Sequence, residues 1–242
     1  SSAASDVYKR QISNWLVYFY QPDQETISQG QTVFVPQGLV VLGIVTVVGG
    51  ITAFARFFDA FVDPAVASLS DRCDSKSGRR MPFLKFAALP LAVVTVLVFW
   101  SPINGTSWVN AAFLFVTVIG YYIALTFYCT PYNALIAELG HDSKQQLTIS
   151  TAISFTWVAG TAIAYVAPVI WGAFVPMMGR ITAIRVTFTI MAAVAFVCMR
   201  VPPLAIREKD YVNSHPTSES TIESLKQTFG DGEFRKFVCS DV

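Results

Sequence analysis

The sequence predicts an all-α membrane protein, a bundle of six membrane-crossing helices. Three observations lead there. Five stretches stay apolar for about the 20 residues that a helix needs to cross a hydrocarbon core roughly 30 Å thick. Only 14% of the 242 residues are charged and 53% are hydrophobic, whereas soluble domains carry about 25% charged residues. Lys and Arg also gather in alternate joints between the apolar stretches, as they do in membrane proteins with a fixed orientation. A mean hydropathy of +0.50 agrees.

The elements follow in order. Ile12–Tyr20 is apolar but about half the needed length, and is read as a first span cut short. Gly38 to about Ser70 is the second span, opening with an apolar run to Ala55. Pro82–Trp100, Trp108–Leu139, Leu147–Phe174 and Ala183–Val201 are the third to sixth. Pro22, Gly30 and Pro36 break the joint 21–37, while Pro102, Asn104 and Gly105 break 101–107. Ser1–Gln11 is small and polar, unlike a helix start, and is set aside as a non-native or disordered N-terminus. The spans therefore occupy 12–203. Residues 204–233 read as a polar central loop with a short amphipathic helix, where Ser220 and Glu223 have capping-box spacing. Residues 234–242 turn apolar again, as a seventh span would begin.

Charge placement sets the expected orientation. Joints 21–37 and 101–107 contain no Lys or Arg, while 71–85 holds Arg72, Lys76, Arg79, Arg80 and Lys85. Lys144 lies in the next joint of that side, and Arg207, Lys209, Lys226, Arg235 and Lys236 lie in the tail. The N-terminus and the central loop are thus expected in the cytoplasm, with Arg180 and Arg185 as exceptions near the outer side. A net charge of +1 gives no sign of a nucleic-acid partner. Cys73, Cys129, Cys198 and Cys239 are far apart, and His141 and His215 are isolated, so no zinc cluster is expected. No His–Glu metal pair, nucleophile elbow or Gly-rich phosphate loop suggests an enzyme.

The second span carries Arg56, Asp59 and Asp63 inside an apolar helix. An Asp at the centre of a span costs about 2.5–3.5 kcal/mol on insertion scales. Asp59 and Asp63 are four apart and share a helix face, with Arg56 three before Asp59. Two readings account for this. One is a structural Arg–Asp pair holding helices together. The other is a cation site, in which two carboxylates hold a proton, or a sodium ion with added oxygens. Pro64 removes a backbone hydrogen bond there, kinking the helix or freeing a carbonyl as a ligand. Late in the fourth span lies a second polar group, Thr126, Cys129, Thr130, Pro131 and Asn133. Mid-helix Thr commonly bonds its own backbone, and Cys129 also reads as a small buried hydrophobe.

These residues carry a family resemblance. Arg56-Phe-Phe-Asp59-Ala-Phe-Val-Asp63-Pro64, Ser70-Asp71-Arg72 and Gly78-Arg79-Arg80-Met81-Pro82-Phe83 resemble the signature of the glycoside–pentoside–hexuronide:cation symporters of the major facilitator superfamily, melibiose-permease-like. Thr130-Pro131-Tyr132-Asn133-Ala134-Leu135, then Glu138-Leu139, resembles a second signature, and Phe234-Arg235-Lys236-Phe237 the family's beginning of span seven.

The resemblance implies a twelve-span fold of two six-helix bundles around a midplane site, this chain being the N-terminal bundle and the C-terminal six-helix bundle its missing partner. It implies cation coupling at Asp59, Asp63 and Thr126, with Arg56 tuning the acids and H+ or Na+ as the coupling ion, and no other cofactor. It implies a gating loop at Asp71, Arg72, Gly78, Arg79 and Arg80, and substrate contacts at Cys129, Thr130 and Asn133. Two positions depart from the pattern. Val62 stands where the family places an Asn cation ligand, and Cys129 where it places a sugar-binding acid. Ser150–Thr156 also lacks the Arg expected early in span five. The implied activity is cation-coupled symport of a sugar or related small organic solute across the cell membrane. A lysophospholipid or other non-sugar carrier, or a non-transporting sensor or scaffold, remains open.

Overall fold

A computed structural model describes residues 14–28, 30–37, 39–41, 45–73, 75, 78–139 and 143–205. Ser1–Gln11, the amphipathic helix within 204–233 and the segment 234–242 lie outside these residues, except that Leu204 and Ala205 end the last helix.

Seven helices are described. α1 covers residues 14–20 and α2 is the short Gln24–Ser28. Then come α3 Val47–Arg72, α4 Met81–Val98, α5 Trp108–Leu139, α6 Ser143–Met178 and α7 Arg180–Ala205. α4, α5, α6 and α7 are long and apolar enough to cross a membrane. α3 has the length, since 26 residues rise about 39 Å, but carries three charged residues in mid-helix.

α3 starts later than the sequence suggests. Leu39–Val41 (β1) and Val45–Thr46 (β2) pair antiparallel, with Leu39 opposite Thr46. The run is rich in β-branched residues, which suit a strand as well as a helix. Thr46 then caps α3, its hydroxyl accepting from the Gly49 N–H at 3.1 Å. Pro82 occupies the first turn of α4, where its missing N–H costs nothing. Gly179, at φ +79°, makes the tight turn between α6 and α7 that a side chain would strain. Asp23 caps α2: the Thr26 hydroxyl and N–H both bond its carboxylate and hold it below the usual carboxylate range.

The helices pack as the pairs α4–α5, α3–α5, α4–α7 and α6–α7. Leu84, Leu91, Leu114, Leu125 and Leu135 are fully buried among them. The outward faces are apolar as well. Phe86 on α4, Phe155 and Val169 on α6 and Leu204 on α7 are all exposed, an arrangement that water would penalise and lipid solvates.

The two arginines at the weakly basic end are held by packing. Arg185 Nε donates to the Phe99 carbonyl at 3.1 Å, and its guanidinium lies 5.6 Å from the rings of both Phe34 and Trp100. Arg180 donates to the Tyr18 hydroxyl and lies over the same ring. Their exception to the charge alternation thus has a local cause: each has a carbonyl or aromatic partner at the bundle's end. At that end Tyr20 also donates to the Val98 carbonyl at 2.7 Å, tying α1 to α4.

Candidate functional site

α3 and α5 bring the acidic and hydroxyl residues together. The Thr126 hydroxyl donates to Asp59 Oδ1 at 2.5 Å, and both residues are buried. One helical turn on, the Thr130 hydroxyl donates to Asp63 Oδ1 at 3.2 Å. The sequence separation is 67 in both pairs. Four residues further on one helix therefore meets four further on the other, and the contact repeats after a rise of about 6 Å.

These two threonines differ from eight others in the described helices. Thr52, Thr95, Thr117, Thr148, Thr151, Thr156, Thr187 and Thr189 turn their hydroxyls back onto the carbonyl four residues earlier. That is the usual habit of a threonine within a helix. Thr126 and Thr130 instead reach a carboxylate on another helix. Thr130, expected among the substrate contacts, thus stands beside Asp63.

Arg56 lies on the exposed side of α3, and its Nε donates to the Tyr122 hydroxyl of α5 at 3.4 Å. Val62, Cys129 and Asn133 are half-buried. A carboxylate removed from water needs partners of this kind, since an isolated charge in an apolar medium is costly. The hydroxyls of Thr126 and Thr130 set oxygen atoms beside the two acids, and oxygens suit a hard cation or a proton better than a soft metal.

The loop after α3 forms a second cluster. Gly78 adopts φ +112° and turns the chain into Arg79 and Arg80, both buried. Arg80 pairs with Glu138 at 2.7 Å and with Asp71 at 3.1 Å, and Arg79 pairs with Glu138 at 3.4 Å. The cluster thus ties the end of α3 and the start of α4 to the end of α5. Arg72 is exposed in the last turn of α3, where a positive charge meets the negative end of the helix dipole.

Two organising residues escaped the sequence reading. Glu138 appeared there only as part of a signature, although a carboxylate at the end of a span facing a two-arginine loop was a usable signal. Asn110 had none. It is buried on α5, its amide donates to the carbonyls of Phe34, Ile103 and Gly105, and its oxygen accepts from the Ile103 N–H.

The family model for MFS/sugar transport protein matches residues 33–242. The chain belongs to this family. Among curated relatives it is 26% identical to the inner membrane symporter YicJ of Escherichia coli (strain K12) over 194 residues, 78% of this chain and 40% of that protein. It is 28% identical to the isoprimeverose transporter of Lactiplantibacillus pentosus over 124 residues, 51% of the chain and 26% of the relative. To the glucuronide carrier protein homolog of Escherichia coli (strain K12) it is 26% identical over 127 residues, 49% of the chain and 28% of the relative. The chain thus spans well under half the length of the curated relatives it matches. Family, helices and apolar outer faces together describe an integral membrane protein with a partial, N-terminal major facilitator bundle.

Proposed function

We propose that the chain is the N-terminal bundle, over 12–203, of a cation-coupled sugar symporter. The buried Asp59–Thr126 pair carries this reading. It keeps a carboxylate away from water between two spans, beside a second carboxylate one turn away, where capture of a cation offsets the cost of burial. Cation binding there favours one of the inward- and outward-facing states, and the cation drives transport only by its differential affinity for the two. The names of the relatives, a symporter, an isoprimeverose transporter and a glucuronide carrier homolog, support a glycoside as the solute.

Arg56 and Tyr122 set the charge balance beside the acids. The Arg79–Arg80–Glu138 cluster closes the basic end in one state of the cycle, and that end faces the cytoplasm. A second bundle supplies the other half of the solute site. A second reading, a non-sugar organic solute or lysophospholipid, draws on Cys129, which stands where an acidic sugar ligand is expected.

Uptake by the full-length protein in proteoliposomes tests the proposal, with a panel of labelled glycosides and an imposed sodium or proton gradient. Wild-type protein concentrates a glycoside only with a gradient, and Asp59→Asn and Asp63→Asn lose that concentration while still exchanging solute. Gradient-driven accumulation that survives in both variants rejects the coupling role. Accumulation of a lysophospholipid in place of any glycoside selects the second reading.

A further inference from the structure

The contact between Asp63 and Thr130 has no counterpart in the expected ligand set, which assigned Asp63 an Asn neighbour that is Val62 here. We infer that Thr130 is a cation ligand, and that Asp63 and Thr130 form an alkali-cation half-site one turn beyond Asp59 and Thr126. This rests on the coupling reading above and adds to it the ion class and a ligand.

Three observations carry it. The first is the direction of the hydroxyl. Thr130 donates to a carboxylate on another helix, unlike the eight threonines that bond their own backbone. While donating its proton to Asp63, the hydroxyl oxygen keeps lone pairs for a cation.

The second is the repeat of the geometry. The separation of 67 residues recurs in both pairs, so the same carboxylate–hydroxyl unit is built twice along two helices in register. A structural tie between α3 and α5 needs only one.

The third is the pair of prolines. Asp63 is followed by Pro64 inside α3, and Thr130 by Pro131 inside α5. A proline has no N–H for the carbonyl four residues before it. Ala60 and Phe127 therefore each lose their helical donor. Helical carbonyls point along the chain towards the residue four ahead; Ala60 and Pro64 lie on the exposed side of α3, whereas Pro131 is buried in α5, so the Phe127 oxygen is the one on a packed face. The Asp63 carboxylate and the Thr130 hydroxyl, with the Phe127 carbonyl freed one turn earlier, offer oxygen ligands alone. Hydroxyl and carbonyl oxygens beside a carboxylate replace the hydration shell of an alkali ion, whereas a proton needs only one oxygen.

The test uses full-length protein in detergent with sodium ions alone as the probe. Isothermal titration with sodium chloride at fixed pH measures sodium affinity, and a pH indicator in a parallel arm measures proton uptake. Wild type binds sodium and Asp63→Asn does not. Thr130→Val, which keeps the shape and removes the hydroxyl, weakens sodium binding about tenfold, the scale of one bond to a charged group. Thr130→Ser restores it to within about twofold, a rescue that a purely structural threonine would not produce. If Thr130→Val fails to give a monodisperse protein, Thr130→Ala carries the same measurement.

Unchanged sodium affinity in the hydroxyl-free variant, with Asp63→Asn inactive, overturns the ligand role and leaves the coupling reading standing. Proton uptake without sodium binding in wild type also overturns it, again without touching cation coupling. Sodium binding that persists in both Asp59→Asn and Asp63→Asn removes the coupling reading and this inference together.

Discussion

Asp59 and Thr126 meet across α3 and α5 at 2.5 Å, and the threonine is almost wholly buried. A hydrogen bond to a charged group contributes about 1.5–3 kcal/mol. Thr126→Val removes the donor and keeps the volume, so the carboxylate loses one partner in a dry position. The expected outcome is a loss of cation affinity of roughly 10- to 100-fold. Thr126→Ser should stay close to wild type. Sodium and proton activation curves of solute uptake check this, and a Thr126→Val curve that overlays wild type contradicts it.

Glu138 collects both loop arginines, whereas Asp71 receives Arg80 alone and is more exposed, 39% against 29% of its side chain. Removing one partner of a buried pair strands the other charge, while a solvent-exposed pair contributes little. Glu138→Gln should therefore weaken closure of the basic end more than Asp71→Asn, by about 1–2 kcal/mol against well under 1 kcal/mol. Labelling rates of single cysteines placed at that end report the shift. Equal labelling in the two variants counts against Glu138 as the centre of the cluster.

Much of this was legible in the sequence, for identifiable reasons. The four helices long and apolar enough to cross a membrane, α4 to α7, followed from apolar length, because a bilayer demands it. The pairing of Asp59 with Thr126 followed from the family signature and not from periodicity, which puts Asp59 and Asp63 on one face but cannot say what faces them. The beginning of α3 was not legible: Leu39–Thr46 is as apolar as a span, and only the Thr46 cap marks where the helix starts. Thr130 was read as a solute contact, and its bond to Asp63 was not legible because sequence places a hydroxyl on a helix without giving its direction. Arg180 and Arg185 looked like exceptions because their aromatic and carbonyl partners come from elements distant in the chain.

Gly78 sets up the arginine cluster through its backbone. At φ +112° it lies where a side chain is strained, and its N–H donates to the Ser75 carbonyl at 3.1 Å. Gly78→Val should cost about 1–3 kcal/mol in this turn and displace Arg79 and Arg80 from Glu138. The expected phenotype matches Glu138→Gln: faster cysteine labelling at the basic end with solute exchange retained. Labelling at the wild-type rate would mean that the turn relaxes without moving the arginines.

Asn110 holds the opposite end of the bundle. Its amide donates at 3.0 Å to Phe34, 2.9 Å to Ile103 and 2.9 Å to Gly105, and its oxygen accepts from the Ile103 N–H at 3.1 Å. One buried side chain thus pins the segment containing Phe34 and the 101–107 joint to α5. Asn110→Leu is close in size and satisfies none of these groups, each of which costs about 1–3 kcal/mol when left buried and unpaired. Some carbonyls at this end can turn to water, so a net loss of about 2–3 kcal/mol is expected. That corresponds to a drop in Tm of roughly 4–10 °C for a unit of this size. Asn110→Asp should be at least as harmful, because it sets acceptors against three carbonyls. Thermal unfolding of the detergent-solubilised protein measures both. The Asp59–Thr126 contact lies further along α5, so cation affinity should hold in whatever fraction of Asn110→Leu remains folded; a parallel loss of affinity would show that the two ends of α5 are coupled.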